Sequence, residues 1–94
     1  MGQSFVKRGR LEIIREILTI SRKPAKKTSI LYKCNLSFSQ LQKYLEYVIS
    51  RNLLSNSKND GKTFYLTTEK GKEFLEEYEK LNNLLKIKPL ITIK

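Results

Sequence analysis

Histidine and tryptophan are absent from this 94-residue chain, cysteine occurs once and proline twice. Without histidine, and with Cys34 as the one thiol, the chain cannot assemble a Ser-His-Asp triad, a Cys-His pair or the usual zinc sites. Cys34 also has no partner for an internal disulfide, which points to an intracellular, cytoplasmic setting. It reads as a small apolar core residue. The glycines, Gly2, Gly9, Gly61 and Gly71, stand too far apart for a phosphate-cradling loop. No apolar run approaches the roughly 18 residues of a membrane span. Nor does an apolar stretch follow the N-terminal basic residues, as a secretory signal would require. The expectation is a protein that is not an enzyme, with no cofactor, no metal, no membrane association and no small-molecule ligand.

Acidic residues are also scarce. Nine Asp and Glu face 19 Lys and Arg, a formal net charge of +10. On so small a surface that excess makes a field that attracts polyanions, nucleic acid first. The charge is uneven: residues 1–27 hold eight basic side chains against Glu12 and Glu16, whereas residues 67–94 hold six lysines against five glutamates.

The apolar residues recur with a clear period. Residues 1–7 read as a loose basic arm. A helix is expected over residues 8–21, its stripe formed by Leu11, Ile14, Ile17 and Leu18 and widened by Ile13 and Ile20. It should stop before Pro24, because the residue ahead of proline avoids the helical region. Pro24 suits the first turn of a second helix reaching Cys34, with Thr28, Ile30, Leu31 and Cys34 on its apolar face. Asn35 tolerates the left-handed conformation that a tight turn needs. Ser37 and Gln40 form a capping-box pattern that opens a third helix, with Phe38, Leu41, Leu45, Val48 and Ile49 facing inward. Asn52 is positioned to end it.

A strand over residues 53–57, the Asp60-Gly61 turn and a returning strand over residues 63–66 make a hairpin. Thr67 or Thr68 caps a fourth helix running to residue 85, beyond which Pro89 leaves residues 88–94 as a tail. The fold class is therefore α+β and mostly helical, a winged helix-turn-helix. Its domain would cover residues 8–66, with a two-stranded wing, and residues 67–87 would form a C-terminal dimerisation helix.

In this order and spacing the chain resembles the archaeal winged-helix family of small basic chromatin proteins, the ten-kilodalton "a" class of crenarchaeal DNA-binding proteins. The matching stretches are residues 10–18 (RLEIIREIL), 27–32 (KTSILY), 35–38 (NLSF), 43–45 (KYL) and 65–71 (YLTTEKG). The resemblance implies DNA binding and a homodimer through the last helix. Here that helix offers only about two heptads before Pro89, so a dimer shorter than the family's long coiled coil, or differently packed, is expected.

The candidate site residues follow from exposure and chemistry. The third helix would enter the major groove, presenting Ser37, Ser39, Gln40, Gln42, Lys43 and Tyr47. Gln can pair with adenine in two places, and no Arg stands on this face before Arg51, which leans toward weak sequence preference. In the wing, Lys58, Asn59 and Lys62 would touch phosphate, or the lysines would guard exposed sheet edges, or both. Lys7, Arg8, Arg10, Lys26, Lys27 and Lys33 are candidate phosphate contacts. Phe74, Tyr78, Leu81, Leu84 and Leu85 are the candidate dimer seam, of which Phe74 also reaches the domain's own core. The leading reading is a dimeric, nucleoid-associated protein that coats double-stranded DNA. A sequence-specific regulator of the same fold and a protein-interaction module are the alternatives.

Overall fold

The computed structural model describes residues 9–85. Its elements are α1 (Arg10–Ile20), α2 (Lys27–Cys34), α3 (Phe38–Ser50), β1 (Leu54–Asn59), β2 (Lys62–Thr67) and α4 (Glu69–Leu85). The arm at residues 1–7 and the tail at residues 88–94 lie outside the described residues.

The helical stripes meet in one core. Ile13, Ile14, Ile17 and Leu18 of α1 pack with Ile30 and Cys34 of α2 and with Leu41, Leu45 and Val48 of α3. Leu54, Tyr65 and Leu75 complete the cluster. Ile17, Leu18, Ile30, Leu41 and Val48 have no exposed surface at all. Each such side chain stabilises the fold by about 1.5–3 kcal/mol relative to leaving it in water. Cys34 sits in this core, as its sequence context suggests.

The turns follow local chemistry. Asn35 adopts the left-handed conformation at φ 54° and ψ 50°. Its N–H reaches the Tyr32 carbonyl and the Leu36 N–H reaches the Leu31 carbonyl, so α2 closes and α3 starts within three residues. Ser37 Oγ accepts from the Gln40 N–H at 3.1 Å, and Gln40 Oε1 accepts from the Ser37 N–H at 3.1 Å, which completes the capping box. Asn52, at φ 64°, ends α3 in the same way that Asn35 ends α2. Its N–H bonds the Ile49 carbonyl and the Leu53 N–H bonds the Val48 carbonyl, both at 2.9 Å.

The second helix starts later than its proline suggests. Pro24 is not in the first helical turn, because Ala25 is paired with β2. Its N–H donates to the Tyr65 carbonyl at 2.9 Å and its carbonyl accepts from the Tyr65 N–H at 2.8 Å. That bridge keeps the chain extended until Lys26, and Lys27 opens α2. Two further bonds extend the seam: the Thr67 N–H reaches the Ser21 carbonyl at 2.8 Å, and Thr67 Oγ1 reaches the Leu18 carbonyl at 2.7 Å.

β1 and β2 pair antiparallel from Leu54↔Thr67 to Asn59↔Lys62. The strands extend to the turn itself: β1 ends two residues later, and β2 begins one residue earlier, than the sequence suggests. Asp60 at φ 55° and Gly61 at φ 77° form a two-residue turn whose twist matches the strands.

With Thr67 turned into the core, Thr68 is the residue that caps α4. Thr68 Oγ1 accepts from the Gly71 N–H at 3.0 Å and donates to the Asn52 carbonyl at 2.6 Å.

Three residues expected inside are exposed: Leu11 at 58%, Phe38 at 61% and Thr28. Leu11 lines a groove with Tyr44 and Tyr47 of α3, and Phe38 lies beside Lys27 at the start of α2, each at the margin of its stripe. Thr28 lies off the Ile30–Cys34 line by which α2 docks.

Candidate nucleic-acid interface

The short turn between α2 and α3 fixes which ridges of α3 face outward. Leu41, Leu45 and Val48 are buried, so Ser39, Lys43 and Tyr47, four apart, form the ridge opposite. Ser37, Ser39, Gln40, Lys43 and Tyr47 are all exposed, and Gln42 is half-buried.

Arg10 and Leu11 of α1 lie across a groove from Lys43, Tyr44 and Tyr47, with Ile14 at its floor. A cation from α1 thus flanks the outward ridge of α3. At its far end the Arg51 guanidinium stacks 4.9 Å from the Tyr47 ring centroid. The sequence signal for that stack was available, since Arg51 follows Tyr47 by four residues, and so was the aromatic side of the groove at Tyr44.

The second ridge of α3, Phe38–Gln42–Glu46, faces the start of α2. Lys27 Nζ donates to Gln42 Oε1 and lies 4.5 Å from the Phe38 ring centroid. Gln42 Nε2 donates to Glu46 Oε2 at 3.0 Å. Lys27, half-buried, is therefore engaged within the protein, while Lys26 and Lys33 are exposed at the two ends of α2. Lys7 and Arg8 lie outside the described residues.

Cross-strand register sorts the wing residues by face, because successive side chains alternate. Leu54, Tyr65 and Thr67 mark the inner face, and Lys58 with its partner Thr63 continues it. Asn59 and Lys62 share the outer face with Phe64 and Leu66. The two wing lysines therefore point to opposite sides of the hairpin. Burial raises the Tyr65 phenol above the usual tyrosine range.

The candidate dimer residues divide along α4. Phe74 packs against the core, with the Tyr78 ring at 6.2 Å between centroids. Tyr78 is covered in part by Arg15 at 5.5 Å. Leu81, Leu84 and Leu85 are 59%, 65% and 75% exposed. Charge divides in the same direction. Residues 9–66 carry eleven Lys and Arg against four acids, while α4 carries three lysines against five glutamates. Among the described residues, no group of three or more Cys, Asp or Glu could hold a metal ion, and no helix is long and apolar enough to cross a membrane.

Three helices, a three-residue turn and a two-stranded hairpin define a class of fold. A family model described as winged helix-turn-helix matches residues 7–86, and the chain belongs to that family. The solved structure of Sso10a-2, a DNA-binding protein from Sulfolobus solfataricus, superposes with a TM-score of 0.72. It is 28% identical, over 83% of this chain and 85% of that one. The resemblance to small archaeal winged-helix proteins drawn from the sequence is thereby borne out. Two uncharacterized proteins of Methanocaldococcus jannaschii are also similar. One is 36% identical over 81 residues, which is 85% of this chain but only 36% of that longer protein. The other is 31% identical over 84 residues, 88% of this chain and 82% of its own length.

Proposed function

We propose that this chain binds double-stranded DNA as a homodimer of chromatin or architectural type, with modest sequence preference. α3 enters the major groove, the wing reaches adjacent phosphates, and the end of α4 pairs two copies. The observation that carries this reading is the outward ridge of α3. Ser39, Lys43 and Tyr47 project from it without an acid among them, and Arg10 and Arg51 flank it. The one acid of α3, Glu46, is held by Gln42 on the neighbouring ridge.

The similar Sulfolobus protein, described as DNA-binding, supports the same reading. Modest preference follows from chemistry. The commonest specific contact is Arg to guanine, but α3 itself carries no arginine, and Arg51, just beyond it, is stacked on Tyr47 at the far end of the helix. Leu81, Leu84 and Leu85 supply the apolar surface for a second copy.

Fluorescence anisotropy with several unrelated duplexes across a salt series tests the proposal. Similar affinities with a steep salt dependence are expected, and Lys43→Ala should weaken binding to all duplexes while leaving the melting temperature unchanged. One duplex bound far more tightly than the rest would make the chain a sequence-specific regulator. No binding even at low salt would leave the protein-interaction module.

A further inference from the structure

Gln42 is the α3 residue best suited to read a base, because its amide can accept from adenine N6 and donate to N7 at once. Both of those groups are already engaged. Lys27 Nζ donates to the amide oxygen, and the amide nitrogen donates to Glu46 at 3.0 Å. The two partners also fix the orientation of the amide, since an ammonium can only donate and a carboxylate can only accept. Lys27 is itself restrained by the Phe38 ring at 4.5 Å. It belongs to α2, so its hold on Gln42 depends on how the two helices of the motif are set.

We infer that Lys27 is a specificity-determining residue: with Glu46 it latches Gln42 away from base edges and keeps α3 tolerant of sequence. The inference rests on the reading of α3 as the helix that meets DNA. The amide keeps a second N–H and a second lone pair, but the two bonds hold its plane. Turning it onto an adenine edge therefore breaks the latch, whereas the ridge of Ser39, Lys43 and Tyr47 stays free to approach. The latch has a second effect. The ammonium lies one amide away from the Glu46 carboxylate and offsets its repulsion of phosphate.

Lys27→Met keeps the aliphatic stem over Phe38 and removes the donor. Glu46→Ala opens the latch from the other end. The readout is the spread of affinities over duplexes in which single A·T and G·C pairs are exchanged, measured by anisotropy at one salt concentration. Each variant should widen the spread by about fivefold or more in favour of adenine-bearing sites, the discrimination one good amide–adenine pair provides. Adding Gln42→Ala to either should return the spread to the native value, and Gln42→Ala alone should leave it unchanged. An unchanged spread in both latch variants would overturn the inference, and so would a narrower spread in Gln42→Ala alone. Failure of the native protein to bind any duplex would instead refute the DNA-binding reading itself.

Discussion

At Gly71 there is no room for a side chain. A Cβ there would lie 2.2 Å from the Leu53 carbonyl oxygen and 2.6 Å from Thr67 Cγ2. The first is backbone and is also the acceptor of the Thr68 N–H, so it cannot move without loosening the cap of α4. Gly71→Ala is expected to destabilise the protein by about 1–3 kcal/mol in urea denaturation, the usual cost of overpacking. Gly9→Ala, with nothing within 4 Å, is the comparison free of any clash, its cost limited to the poorer N-cap that alanine makes for α1. Tyr65 offers a test by pH. Burial raises its phenol above the usual value near 10, so the folded protein holds that proton more tightly than the unfolded chain does. Its contribution is fully present below about pH 10 and is lost as pH rises beyond it. Tyr65→Phe should therefore show a shallower fall in melting temperature from about pH 9 to about pH 11 than the native protein. Curves of equal slope would show that Tyr65 does not carry the alkaline loss.

Among the elements, helix ends and turns were legible where the chemistry is local. Asn35, Ser37, Asn52 and the Asp60-Gly61 turn all do what their residue types suggest. What could not be read depends on distant partners or on depth. The start of α2 is set by Tyr65, forty positions away from Ala25, and no local pattern records that pairing. Leu11 and Phe38 lie at the margins of their stripes, and periodicity does not say how wide a stripe the neighbouring elements cover. The same limit applies to the candidate interface. The outward positions of α3 follow from its period, while the engagement of Gln42 by Lys27 needs the α2–α3 crossing. The wing makes a prediction at this scale. Since Lys58 and Lys62 point to opposite faces, one single-alanine variant should lower the slope of log affinity against log salt by about 0.9 and the other should leave it unaltered. Equal losses from both would mean that the tip sits between two rows of phosphate.

For the molecule as a whole, the basic winged domain and the acid-rich α4 give it two ends of different character. An approach to a polyanion would lead with the winged end and turn α4 outward, where a second copy can meet it. Leu81→Glu places a charge in the exposed apolar end of α4 and should shift a dimer toward monomer in light scattering, with little effect on the monomer's fold. A dimer that persists would move the interface elsewhere. The seam that joins residues 18–25 to residues 65–67 has one more consequence, and it concerns the speed of folding. Leu18 and Thr67 are 49 positions apart, yet they share a hydrogen bond. The helix-turn-helix and most of the wing are therefore a single long loop hung between the two sides of that seam. Closing such a loop costs chain entropy before any bond rewards it. The seam should zip late, after the helices have met. Weakening it should then hasten unfolding more than it slows refolding, so the lifetime of the wing's attachment is set at a hydrogen-bonded seam remote from its tip.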